Sequence, residues 1–131
     1  MRSQAREAVF KFIYSQLFNP DDEGLFAVLL KDLNKEDALF ANDLLSAIND
    51  KKDFLLETIS KLAVGYKLDR LYLADKCALL IGIAELNNFP QTPIPVVVNE
   101  AVNLAAKYST DNSTNFVNGI MAEYIKEKNN G

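Results

Sequence analysis

Residues 77–84, Cys77-Ala78-Leu79-Leu80-Ile81-Gly82-Ile83-Ala84, form a run that is apolar on every side of a helix. A helix with no polar face has to be wrapped by other elements. At eight residues the run is far short of the ~20 needed to span a bilayer. The chain is therefore expected to build itself around a central helix, starting near Leu68 or Leu71 and ending at Asn88.

The remaining segments supply the wrapping. In a first helix over about 3–18, Ala5, Ala8, Val9, Phe12, Ile13, Gln16 and Leu17 recur at the helical period and form one stripe broken only by Gln16. Asn19-Pro20-Asp21-Asp22 stops it. A second helix over about 22–33 carries Leu25, Phe26, Leu29 and Leu30. A third over about 35–49, capped at Asn34, carries Leu39, Phe40, Asp43, Leu44, Ala47 and Ile48. A fourth over about 52–64 carries Leu55, Leu56, Ile59 and Leu62, and Gly65 reads as its stop. After the connector Pro90-Gln91-Thr92-Pro93-Ile94-Pro95, a sixth helix over about 95–108 buries Val97, Val98, Ala101, Leu104, Ala105 and Tyr108. A seventh over about 113–128 buries Phe116, Val117, Ile120, Met121, Tyr124 and Ile125. No strand-type alternation competes. The expectation is an all-α, compact bundle of about seven helices in a single domain, residues 1–131.

The chemistry-bearing residues are few. The chain has no histidine, which removes the commonest base and metal ligand, and its one cysteine, Cys77, sits in the apolar run as a core thiol. No phosphate-cradling glycine loop is present, so neither an enzyme nor a cofactor is indicated. Asp21-Asp22-Glu23 reads as a water-facing acidic start to the second helix. The opening residues Met1-Arg2-Ser3-Gln4-Ala5-Arg6-Glu7 contain no apolar leader core, and a cytoplasmic protein without membrane contact is expected.

The net charge of −4 argues against a whole-surface nucleic-acid binder, but the charge is unevenly spread. Up to Asn19 there are three cations and one anion, whereas residues 20–37 hold six acids and two lysines. Arg2, Arg6, Phe10 and Tyr14 are spaced four apart, and each step turns about 40° on a helix. They form a slanting ribbon beside the buried stripe, with Lys11 near its edge. Arginines that meet phosphate and aromatics that stack bases suit single-stranded RNA. The alternative is a solvated face with Phe10 and Tyr14 packed partly inward. The loop Ser109-Thr110-Asp111-Asn112-Ser113-Thr114-Asn115-Phe116 either reads base edges or simply caps the seventh helix.

Four stretches resemble a known family. Arg2 to Tyr14, with Ala5-Arg6-Glu7, is similar to the opening of NusB proteins. Gly65-Tyr66-Lys67-Leu68-Asp69-Arg70-Leu71, then Asp75-Lys76 and Ala84-Glu85-Leu86, resembles their middle. Ile94-Pro95-Val96-Val97-Val98-Asn99-Glu100-Ala101 is similar to their proline-led helix, and Ser113 with Phe116-Val117-Asn118-Gly119 to their closing signature. The resemblance spans essentially the whole chain. It implies two small helical subdomains and no enzyme activity. It also implies an antitermination factor that pairs with NusE, a small-subunit ribosomal protein. The pair would bind boxA RNA of ribosomal RNA leaders and act on the elongating RNA polymerase complex with other Nus factors.

By the same resemblance Arg2, Arg6 and Tyr14 of the first helix face RNA, as do Asn112, Asn115 and Phe116 of the loop. Asp75 and Glu85 match acidic positions toward NusE. Several positions depart from the pattern: Ser3 and Gln4 replace part of a denser arginine cluster, Asn115 stands for a basic residue and Asn112 for an acidic one. Leu80-Ile81 stand where a central-helix arginine is usual. Fewer phosphate contacts imply RNA binding that leans on the partner. An adaptor that has lost its RNA contacts and binds only protein is the competing reading, and homodimerisation is left open.

Overall fold

The computed structural model describes residues 2–20, 22, 24–64 and 72–130. They form seven helices and no strand: α1 (Arg2–Gln16), α2 (Leu25–Leu30), α3 (Lys35–Asp50), α4 (Lys52–Val64), α5 (Leu73–Asn88), α6 (Ile94–Tyr108) and α7 (Ser113–Asn130). The Gly65 stop, the 65–71 motif, and Asp21 and Glu23 of the acidic cluster lie outside the described residues.

The sequence period places most of these elements. Asn34 accepts the backbone N–H of Asp37 at 2.8 Å and caps α3 as expected. Pro95 stands in the first turn of α6, where a missing N–H costs nothing. α2 is only six residues long, because the amides of Lys31 and Leu33 close tight i→i+3 turns on Val28 and Leu30. Leu39, placed by its spacing on the apolar stripe of α3, is 62% exposed.

α5 is the central helix. Every residue from Ala74 to Glu85 is buried except Lys76, which is half-buried. The helix touches α1 and α3 on one side and α4, α6 and α7 on the other, while α1 packs on α2 and α3, and α6 on α7. The helices thus fall into two groups, α1–α3 and α4–α7, that share one hydrophobic core through α5. Gly82 permits the closest approach: a Cβ there would come within 2.9 Å of Met121 Sδ and 3.1 Å of Ala101 Cβ. Within the described residues no helix is long and apolar enough to cross a membrane.

Candidate nucleic-acid interface

The expected ribbon on α1 does not lie on one surface. Three 40° steps separate Arg2 from Tyr14, so they sit about 120° apart around the helix. Arg2 is exposed, with its guanidinium carbon 4.5 Å from the centre of the Phe40 ring on α3. That cation–π contact leaves the charge available to an anion.

Arg6 turns inward and is 3% exposed. Its Nε and Nη2 donate to the two carboxylate oxygens of Glu85 at 2.7 and 2.6 Å, and its Nη1 donates to Glu100 Oε1 at 2.7 Å. Ser3 Oγ donates to the same Glu100 oxygen. Burial alone would lower the pKa of Arg6, but the two glutamates outweigh it and raise the value above the ordinary one. The guanidinium is committed to joining α1, α5 and α6. This corrects the expectation that Arg6 meets phosphate.

The two acids expected to face a partner are also inside. Glu85 is 1% exposed and is the bidentate partner of Arg6. Asp75 is 2% exposed; its Oδ2 accepts from Ser113 Oγ at 2.9 Å, and its Oδ1 accepts no hydrogen bond from the described residues. Neither carboxylate is presented to a second protein. Their place in the structure is internal: Glu85 neutralises a buried cation, and Asp75 anchors the loop before α7.

That anchoring is specific. Ser113 Oγ lies 2.9 Å from the hydroxyls of both Ser109 and Thr110, and it accepts the Thr110 N–H at 3.3 Å. The single Ser113 proton goes to Asp75, so the two neighbouring hydroxyls are the donors. One buried serine therefore folds the loop onto itself. Asn112 and Asn115 are exposed, and Phe116 is half-buried against the core.

Tyr14 belongs to an aromatic ladder of which the sequence spacing showed only part. Its ring stacks on Phe10 at 5.9 Å and 10°, and Phe18 follows at 5.5 Å. Phe10 is buried and stacks on Tyr108 at 4.8 Å. Phe18 is 62% exposed and ends the ladder in solvent. Tyr108 closes α6 immediately before the loop, so the ladder links the Tyr14 face of α1 to the loop that carries Asn112. The signal for Phe18 was available, since it continues the four-residue spacing of Phe10 and Tyr14. Tyr108 read only as a core position of α6.

Glu7 sits on the same side. It accepts the Tyr108 hydroxyl at 2.7 Å and Lys107 Nζ at 2.9 and 3.0 Å, with Lys11 Nζ 3.6 Å away. Burial would raise the Glu7 carboxyl; the bonds from Lys107 and Tyr108 overcome that and hold it below the usual carboxylate range.

The model of the NusB family matches residues 3–126. The chain belongs to the NusB family. The transcription antitermination protein NusB of Natranaerobius thermophilus is 31% identical over 98% of this chain and 96% of its own length. That of Methylacidiphilum infernorum is 34% identical over 96% and 91%. Among solved structures, T. maritima NusB superposes with a TM-score of 0.88 at 29% identity, covering 97% of this chain and 92% of that one. A chain from the crystal structure of antitermination factors NusB and NusE with double-stranded RNA gives 0.81 at 26% identity, covering 96% of each. The two helix groups around α5 are thus the NusB fold, and the ladder, the loop and the buried Arg6 site are its features in this chain.

Proposed function

We propose that this protein is a transcription antitermination factor that binds boxA-type RNA of ribosomal RNA leaders as a heterodimer with NusE. It supports ribosomal RNA transcription in the cytoplasm with the elongating polymerase and other Nus factors, by binding and without catalysis. The observation that carries this reading is the full-length likeness to a protein solved with both NusE and RNA.

The contacts are assigned as follows. Tyr14 and Phe18 offer ring faces for base stacking, Asn112 and Asn115 offer edge contacts from a loop pinned by Ser113, and Arg2 offers a phosphate contact. Phe116 supports the loop from its half-buried position. Arg6 acts on RNA only through the placement of α1. With Arg6 withdrawn, few cations face solvent here, and NusE supplies part of the positive potential.

The test is fluorescence anisotropy of a labelled boxA-type strand, single-stranded and as a duplex, with this protein alone and with NusE at two salt concentrations. Binding that is tighter with NusE, weakens with salt, and drops on Tyr14→Ala or Arg2→Glu supports the reading. Intact NusE association with no RNA binding in any condition would replace it with a protein-only adaptor.

A further inference from the structure

Three residues of α1 crowd one sector, and a fourth follows just beyond it. At 100° per residue, Glu7, Lys11 and Tyr14 project within about 60° of one another, and Phe18, in the turn after α1, packs its ring on that of Tyr14. The only acid in this sector of α1 grips the cations around it. Both Glu7 oxygens accept from Lys107 Nζ, and Lys11 Nζ approaches from the next turn. Lys107 and Lys11 both keep about half of their side-chain surface in water, so neither is locked in place.

A carboxylate presents two oxygens to an ammonium much as a phosphate does. We infer that Glu7 is a built-in competitor for the RNA backbone, holding Lys107 and Lys11 beside the aromatic ladder until phosphates displace it. This inference rests on the RNA-binding reading and names two further phosphate contacts, Lys107 and Lys11, together with the group that moderates them. Exposed ion pairs are weak and exchange readily, so the swap has a low barrier. Bases on the Tyr14–Phe18 rings would carry their backbone past these two ammonium groups. A strand that stacks poorly would not gain enough to displace Glu7, which makes the acid a filter against non-specific anions.

The experiment measures RNA affinity against salt for wild type, Glu7→Gln, Lys107→Gln and the double variant, each with NusE. Glu57→Gln is the control for charge alone, since Glu57 holds a similar exposed pair with Lys61 on α4. Glutamine still accepts the Tyr108 hydroxyl, and thermal melts check that every variant is folded. Glu7→Gln is expected to tighten binding about threefold or more at low salt and to steepen the log–log salt slope by about 0.7 for each cation released. Lys107→Gln should cost more in the Glu7→Gln background than in wild type. Equal effects of Glu7→Gln and Glu57→Gln, or a Lys107→Gln cost identical in both backgrounds, would overturn the inference while RNA binding stands. Absence of RNA binding by wild type and Glu7→Gln alike, with NusE bound, would overturn both the reading and the inference.

Discussion

Replacing Glu85 with glutamine separates two incompatible pictures of this acid. If Glu85 faced a partner from the surface, the change would alter stability by no more than about 0.5 kcal/mol. In the structure it supplies two of the three bonds to the Arg6 guanidinium, at 2.6 and 2.7 Å, from a site 1% exposed. Removing one partner of a buried pair costs about 3–5 kcal/mol, because the remaining charge is stranded. Here Glu100 still holds Nη1 at 2.7 Å, and its side chain keeps 18% of its surface in water, so part of the charge stays compensated. Glutamine also retains one acceptor toward Arg6. The expected loss is therefore about 2–3 kcal/mol, somewhat below the full penalty. With unfolding entropy of about 2.1 cal/mol/K per residue, this lowers the melting temperature by roughly 7–11 °C. Urea and thermal melts followed by circular dichroism read it directly. A double variant, Arg6→Leu with Glu85→Leu, removes the stranded charge and should recover most of the loss while keeping RNA affinity. A Glu85→Gln shift below about 2 °C, or loss of RNA binding in a folded double variant, would refute the internal role assigned to Arg6 and Glu85.

Two further outcomes follow from buried polar and thiol groups. Ser113→Ala removes the hydrogen bond that, among the described residues, is the one made to the buried Asp75 carboxylate, together with the hub of the 109–113 turn. It should cost about 1–3 kcal/mol in urea melts and weaken RNA binding, and Ser113→Ala with Asp75→Ala should be milder than Ser113→Ala alone; an unchanged melt would show that the loop is not held from α5. Burial pushes the Cys77 thiol up to about 12, with Lys76 and Lys52 opposing too weakly to restore it. The native protein at pH 8 should therefore resist a thiol reagent and titrate one equivalent after denaturation, whereas rapid native labelling would mean the core around α5 opens.

Most elements were legible because they bury a stripe at the helical period, α2 only half-burying its own, and α5 because it lacks a polar face. α2 fell short because the choice between an α-turn and the tighter turns at Lys31 and Leu33 leaves no trace in apolar spacing. The candidate site was legible in its outline, α1 with the loop before α7, but not in the duties of its charged residues. Charged side chains read as surface by default. Arg6 lies at the flank of the α1 stripe, next to Ile13 on a helical wheel, and α6 packing alongside carries the buried sector out to Phe10. Its partners Glu85 and Glu100 are 79 and 94 residues away, so no local pattern could pair them. Separations of 100 and 101 residues likewise hid the contacts of Glu7 with Lys107 and Tyr108.

Those internal pairings change what the net charge of −4 means for function. Glu85 and much of Glu100 are spent on Arg6 inside the fold, so neither repels a phosphate at the surface in proportion to its formal charge. The same pairing takes Arg6 out of the positive potential that α1 offers. Among the described residues, what remains is Lys11 and Lys107 beside the ladder, shared with Glu7, and Arg2 over Phe40 on another side of α1. Three cations of which two are moderated make a weak electrostatic footprint, since each phosphate neutralised contributes separately to affinity. Base stacking does not depend on charge, and in the proposed site the exposed Phe18 beside Tyr14 offers the ring faces for it. On the proposed reading, the aromatics hold the RNA once a basic partner has drawn the strand in, and the isolated protein's affinity should respond to salt less steeply than that of the heterodimer.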